Sequence, residues 1–292
     1  MEIDSRYVGT CLKEYKCQIN WRETMNYAAA IDDNNEHYFD DEREDGIVAP
    51  PMFAVAVTWP IIENLSEYII ADDFPLDVMM TIVHYTEYLK IHRLMKPGDE
   101  LRINSKIAAI LPHRAGTHVI LQLEAFDKKN DPVYTQYHGG MLRGVECIDE
   151  GRGRDLIPQV PFSEDDTDPL WEETIPIDSL RSYIYDGCTG ITFPIHTSKE
   201  FAHQLGFPGI IMQGTATLAY AVRELINKEA EGNPLKIKEI ACKLTSMVIP
   251  GTNIRVVLNK KLKVKKEIDL LFTVFNERKK RAISEGYVQL EE

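Results

Sequence analysis

Two hydrophobic periods succeed one another along the chain, and the succession occurs twice. Asn20-Trp-Arg-Glu23 has the Asx-x-x-Glu form of a capping box, which predicts a short helix through Met25, Tyr27, Ala28 and Ala29. Pro50 and Pro51 then stand where proline suits a first helical turn. Residues 52–68 are mostly apolar on all sides, as in a helix enclosed by other structure. After that the period falls from 3.6 to 2. Glu100-Leu-Arg-Ile-Asn-Ser-Lys-Ile107, Thr117-His-Val-Ile-Leu-Gln-Leu-Glu124 and Val133-Tyr-Thr-Gln-Tyr137 alternate as strands do. The second half repeats the sequence of elements, with a helix predicted over 214–227. Its strands fall in Ile254-Arg-Val-Val-Leu258, Glu267-Ile-Asp-Leu-Leu-Phe-Thr-Val-Phe275 and Ala282-Ile-Ser-Glu-Gly-Tyr-Val-Gln-Leu290.

Two landmarks make this a duplication. Lys96-Pro-Gly-Asp-Glu-Leu-Arg-Ile103 returns 153 positions later as Ile249-Pro-Gly-Thr-Asn-Ile-Arg-Val256. Upstream of each lies a Gly, two β-branched residues and a small, apolar stretch: Gly46-Ile-Val-Ala-Pro-Pro-Met-Phe53 and Gly209-Ile-Ile-Met-Gln-Gly-Thr-Ala216. Landmarks repeated in the same order indicate a duplicated unit of roughly 130 residues. Between the halves, residues 148–176 carry four prolines and the acidic run Glu164-Asp-Asp166, a linker composition. The expected domains are 1–147 and 177–292. One apolar helix and about four antiparallel strands satisfy each other only if the sheet curls around the helix, and two such units side by side would make a continuous sheet.

Composition narrows the functions open to such a chain. With 292 residues, 44% of them hydrophobic, each half can bury a core. The net charge of −13 opposes sequence-independent binding to nucleic acid or anionic lipid. No apolar run approaches the ~20 residues of a spanning helix. The charged start, Met1-Glu-Ile-Asp-Ser-Arg6, does not read as a signal peptide, so a cytoplasmic protein is expected. The five cysteines, Cys11, Cys17, Cys147, Cys188 and Cys242, are scattered, which suits reduced thiols better than a disulfide framework. No CxxC pair suggests zinc.

The second half resembles the MaoC-type enoyl-CoA hydratase/dehydratase domain. That family's loop has the form Ser-Gly-Asp-x-Asn-Pro-aliphatic-His, then Gly-x-Pro and a small-residue helix entered through a Gly. This chain has Thr189-Gly-Ile-Thr-Phe-Pro-Ile-His196, Gly206-Phe-Pro208 and Gln213-Gly-Thr215. The first half is similar to the N-terminal dehydratase domain of the same superfamily, through Tyr27-Ala-Ala-Ala-Ile-Asp-Asp-Asn-Asn-Glu-His-Tyr-Phe-Asp40, Val48-Ala-Pro-Pro-Met-Phe53 and His84-Tyr-Thr-Glu-Tyr88. The resemblance implies an α+β double hotdog and reversible hydration of a 2-enoyl-CoA to the (R)-3-hydroxyacyl-CoA. It implies no cofactor beyond the coenzyme A (or acyl carrier protein) of the thioester substrate itself, and leaves room for a homo-oligomer of the paired unit.

Hydration of an enoyl thioester needs a base for water, an acid for Cα and a partner for the enolate oxygen. The first turn of a helix presents unpaired N–H groups to such an oxygen. Gly214 and Thr215 hold those positions in the second half, Pro51 and Met52 in the first, where Pro51 has no N–H to give. His196 fits the family His, but Ile191 stands at the Asp position and Phe193 at the Asn position. Carboxylates occur in two competing registers of the first half. One takes Asp32, Asn34 and His37; the other takes Asp33, Asn35 and Tyr38, puts Tyr27 at the family's aromatic position, and is preferred. A cross-half site of His196 with Asp33 and Asn35 is then conceivable, with Asp186 as a nearer carboxylate. Tyr38, His37, Pro51, Thr215 and Phe193 are the candidate substrate contacts.

His84 and His92 read as sheet-face residues, and His113, His118, His138 and His203 have no metal-like spacing. Lys261, Lys263, Lys265 and the turn Arg278-Lys-Lys-Arg281 are edge-strand protection or a landing site for coenzyme A phosphates. A hotdog thioesterase and a non-catalytic acyl-CoA-binding protein are the competing functions. The departures at Ile191 and Phe193 favour the latter.

Overall fold

The computed structural model describes residues 1–162 and 168–292, side chains at 80 and 81 excepted. The acidic run at 164–166 lies outside the described residues. The first half runs β1 (Glu2–Ile3), β2 (Tyr15–Gln18), α1 (Trp21–Ala30), α2 (Glu36–Phe39), α3 (Phe53–Glu63), α4 (Leu65–Tyr68), β3 (Ile82–Ile91), β4 (Glu100–His113), β5 (Gly116–Asp127), β6 (Pro132–Arg143) and β7 (Glu146–Cys147). The second runs β8 (Trp171–Pro176), α5 (Arg181–Thr189), α6 (Lys199–Gln204), α7 (Gly214–Glu229), β9 (Ile237–Leu244), β10 (Asn253–Val264), β11 (Glu267–Phe275) and β12 (Arg281–Glu291).

Ten strands form one sheet in the order β2-β4-β5-β6-β3-β9-β12-β11-β10-β8. Each half contributes five strands, and the two orders are mirror images about the β3–β9 pair. This is the double hotdog, with α3 and α7 as the enclosed helices. Apolar residues of α3 from Phe53 to Val57 are all buried, as are most of those of α7. The Pro-Gly turns precede β4 and β10, and Gly98 and Gly251 take φ of +91° and +86° there, a left-handed conformation that favours glycine. Segment 171–176, read from the sequence as the end of the linker, is strand β8 on β10. It matches β2 on β4, so the second unit begins before residue 177.

Local signals held where they were chemical. Asn20 Oδ1 accepts from the Glu23 N–H at 3.0 Å and Glu23 Oε2 from the Asn20 N–H at 3.2 Å, the expected reciprocal cap. The helix expected over 52–68 is instead interrupted at Asn64, where φ −110° and ψ 36° leave the helical region and the side-chain amide donates to the Pro60 carbonyl. Pro60, with no N–H to give the Ala56 carbonyl, weakens the helix one turn before this break.

The halves also meet through helices. The hydroxyls of Tyr27 (α1) and Tyr185 (α5) lie 3.0 Å apart, both fully buried. Arg181 donates to the Ala30 carbonyl at 3.0 Å and to Asp32 at 2.8 Å, and Tyr220 donates to the other Asp32 oxygen at 2.8 Å. Arg181→Ala strands the Ala30 carbonyl and one side of Asp32, and an unsatisfied buried acceptor costs about 1–3 kcal/mol. We expect urea unfolding to report a loss in that range. A loss under about 0.5 kcal/mol, the scatter of ordinary surface substitutions, would make this bridge idle.

Candidate active site

A cavity of about 930 Å³ opens between the halves. The first half supplies apolar wall from α3, α4 and the sheet, including Trp59, Ile62 and Leu65. The second supplies the loop Phe193–His196, the start of α7 and the β11–β12 turn.

His196 ends a single 3₁₀ turn, Pro194–His196. Its Nδ1 lies 2.8 Å from the Ile211 carbonyl. A carbonyl only accepts, so Nδ1 carries the hydrogen and Nε2 of the neutral ring keeps its lone pair. Burial pushes the imidazole down to about 4, against a smaller upward pull from the Ile211 bond. The ring is therefore neutral, and able to accept a proton, across the physiological range. Phe193, 41% exposed, stands edge-on to it with ring centroids 6.4 Å apart and covers the loop with an apolar face.

Gly214 begins α7 with no side-chain cap on the preceding Gln213, so the N–H groups of its first turn, which lack intrahelical partners, are presented at the cavity that Gly214 lines. A Cβ on Gly214 would sit 2.6 Å from Leu244 Cδ1, so any larger residue there would displace the Leu244 side chain. Thr215 is buried and its hydroxyl accepts from Tyr185 at 3.2 Å, so it braces the helix start. The first-half counterpart is closed: Met52 and Phe53 are buried and neither Pro51 nor Met52 lines the cavity.

The preferred register of the first-half loop agrees with the backbone. Asp32 (φ +51°) and Gly190 (φ +69°) take the same left-handed conformation, and Asn35 and Phe193 both precede a short helical turn. Equivalence does not bring the loops together. Asn35 donates to the Gly232 carbonyl at 2.7 Å, beyond the far end of α7, and Arg223 donates to the carbonyls of Ile31 and Asp32. Nine residues separate Gly214 from Arg223, about 13 Å along a helix. Asp33, Asn35, His37 and Tyr38 are thus not cavity residues, and the expected pairing of Asp33 with His196 is corrected. Asn35 caps α2 by accepting from the His37 N–H, and Tyr38 is fully buried. Asp186 does not line the cavity either. Of the lysines, Lys261 and Lys263 are engaged by Glu229 and Glu292, whereas Arg278 and Lys280 line the cavity with Arg143.

Two groups escaped the sequence reading. Glu63, the last residue of α3, lines the cavity and accepts from Thr192 on the His196 loop at 2.6 Å. An acid ending an apolar helix is too common to single out. Glu87, His84 and His138 meet at the cavity wall, with His84 Nε2 3.1 Å and His138 Nδ1 3.4 Å from Glu87 Oε2. Their spacing hides this, because three residues apart on a regular strand is opposite faces. A bulge between His84 and Thr86 restores the common face.

The fold defines a tandem hotdog protein in which, among the described residues, the second-half loop lines the cavity and its first-half counterpart does not. Family comparison is consistent half by half: a MaoC like domain matches residues 162–279 and a FAS1-like dehydratase domain region matches residues 6–136. The chain thus joins a FAS1-like dehydratase region to a MaoC-like dehydratase domain. It is 24% identical over 284 residues to the peroxisomal multifunctional enzyme type 2 of Drosophila melanogaster, covering 94% of this chain and 46% of that one. It is 27% identical over 265 residues to the peroxisomal enoyl-CoA hydratase 2 of Arabidopsis thaliana, 82% and 81% of the two chains. A solved MaoC-like dehydratase from Phytophthora capsici superposes with a TM-score of 0.84 at 19% identity over 98% of each chain. The chain spans less than half the length of the multifunctional enzyme.

Asp33 is 5% exposed, and burial raises its carboxyl to about 6, partly opposed by the Asn35 N–H and Arg223. A folded-state value above the unfolded one means that ionisation destabilises the fold as pH rises through 6. Asp33→Asn removes that cost and should stabilise the protein by about 3 kcal/mol above pH 7, at 1.36 kcal/mol per pKa unit. The gain should vanish by about pH 3, where the wild-type carboxyl is mostly neutral in both states. Chemical unfolding at pH 3 and pH 8 checks both halves of this expectation.

Proposed function

We propose that this chain catalyses reversible hydration of a 2-enoyl thioester to the 3-hydroxyacyl thioester. The observation that carries the proposal is a neutral, lone-pair-bearing His196 lining the same cavity as the uncapped start of α7. His196 Nε2 takes a proton from water, the hydroxide adds to Cβ, and charge moving onto the thioester oxygen meets the N–H groups of Gly214 and Thr215. The imidazolium then returns a proton to Cα, so one group serves as base and acid. Glu63, held by Thr192, is the carboxylate assigned to orient the water in place of the one lost at Ile191. Arg278, Lys280 and Arg143 suit the phosphates of coenzyme A. The names of the relatives, a hydratase among them, support the same chemistry. Among the described residues no helix is long and apolar enough to cross a membrane. The free thiols support a reducing compartment, for which we propose the cytoplasm.

A panel of short, branched, dicarboxylic and long enoyl-CoAs, with double-bond loss and free thiol followed together, tests the proposal. Hydration without thiol release is expected. Thiol release alone would indicate a thioesterase, and tight binding without either an acyl-CoA carrier. His196→Ala should lower kcat by about 10² to 10⁴ while leaving the thermal midpoint nearly unchanged.

The pH profile should be just as telling. A base is active when deprotonated, so kcat should stay flat from pH 8 down to about 5 and fall only toward pH 4, rather than bending near 6.5 as an exposed histidine would require.

A further inference from the structure

We propose that His84, Glu87 and His138 form a binding site for one divalent transition-metal ion of the zinc class, set in the wall of the cavity. Glu87 carries the argument. It is 1% exposed, and among the described residues neither of its carboxylate oxygens has a hydrogen-bond partner. His138 Nδ1, on a side chain 4% exposed, is equally without one. A buried carboxylate without hydrogen bonds is costly unless a cation compensates it.

The surrounding atoms have the spacing of a ligand set. His84 Nε2, His138 Nδ1 and a Glu87 oxygen lie within 4.8 Å of one another, and the oxygen is 3.1 Å and 3.4 Å from the two nitrogens. Ligands about 2.0–2.1 Å from a tetrahedral zinc stand roughly 3.3 Å apart. Two imidazoles and one carboxylate are donors that zinc, cobalt and iron accept readily, whereas magnesium and calcium prefer all-oxygen shells. Because His84 and His138 also line the cavity, three protein ligands would leave a position open to solvent or ligand.

The fold builds this arrangement deliberately. Tyr85 is the extra residue of the β3 bulge, so that His84 pairs with Gly140 and Thr86 with Gly139. The two glycines make room for it: a Cβ on Gly139 would lie 2.0 Å from Thr86 Oγ1, and one on Gly140 2.3 Å from Ile82 Cδ1. The imidazoles then stack with centroids 4.1 Å apart over the carboxylate. His84 Nε2 is also 3.1 Å from the Thr86 carbonyl, so metal binding must displace a proton from that nitrogen.

The test uses the full chain stripped by chelator and reads binding, independently of turnover. Titration with Zn²⁺ followed calorimetrically should give one equivalent per chain. Titration with Co²⁺ should give visible d–d absorption that Zn²⁺ abolishes. Glu87→Gln and His138→Ala should each weaken binding by more than the roughly 10- to 100-fold that loss of an outer-shell partner costs, and His203→Ala, on exposed α6, should not. Circular dichroism establishes that each variant is folded; should either fail to fold, the cobalt spectrum of the unaltered chain still decides. Absence of cobalt absorption and of zinc heat in the unaltered chain would overturn the proposal in favour of a proton shared among the three groups. Undiminished binding in folded Glu87→Gln and His138→Ala would overturn it by placing the ion elsewhere.

Discussion

The antiparallel pairing of β3 with β9 is the contact on which the rest of the molecule depends. Either half alone would leave a central strand edge open, with unpaired N–H and C=O groups that invite association. Joined through Thr86 opposite Lys243 to Lys90 opposite Glu239, the two five-stranded sheets become one. The seam then dictates what lies beneath it. Glu87 faces Cys242, and Leu244, two residues further along β9, presses on Gly214. The start of α7 is thereby fixed at the mouth of a cavity whose other wall is the partner half. The cavity and the uncapped start of α7 that opens onto it are consequences of one strand pairing.

Duplication explains why, among the described residues, one of two equivalent loops lines the cavity and the other does not. The two loops share a left-handed hinge, at Asp32 and Gly190, and the same offset to the short turn that follows. At the second-half position the side chains are Phe193 and His196, lining space. At the first they are Asn35 and Tyr38, filling it. Arg223 and Arg181 hold the first loop against α7 and α5, so Asp32 serves as an acceptor in an interface while Asp33 accepts from the Asn35 N–H of its own loop.

What could be seen in the sequence was whatever depends on local chemistry or on repetition. The Asn20–Glu23 cap, the Pro-Gly turns and the alternation from Glu267 to Phe275 all correspond to real elements. His196 and Gly214 could be found because loop and helix start are consecutive in sequence. The polar cluster at Glu87 could not: it joins β3 to β6 across about fifty residues and depends on a bulge that inverts the expected face. Asp33 misled for the opposite reason. Its register was sound, but equivalence under a pseudo-twofold places two loops at related sites, not at the same one.

In the proposed reaction, Ile191 at the position where the resembled family has a carboxylate changes what is asked of His196 rather than removing its role. An imidazole beside a carboxylate is held toward the charged form, so it abstracts a proton more readily but is also more easily protonated before the reaction begins. His196 has instead a buried setting, a single carbonyl partner and an aromatic cover. Burial keeps it neutral and ready, at the expense of basicity, since a proton taken from water creates an imidazolium in an apolar site. The stabilisation that an adjacent carboxylate would have given must then come from charge developing elsewhere at the same moment. In the proposed hydration the enolate at the start of α7 would be that charge, and its attraction to the imidazolium would grow in a mostly apolar cavity. In the proposed reaction Glu63 serves the water and not the imidazole, so base and oxyanion donors depend on each other more closely than where a carboxylate pairs with the imidazole, and the β3–β9 seam that positions α7 bears on the proton transfer.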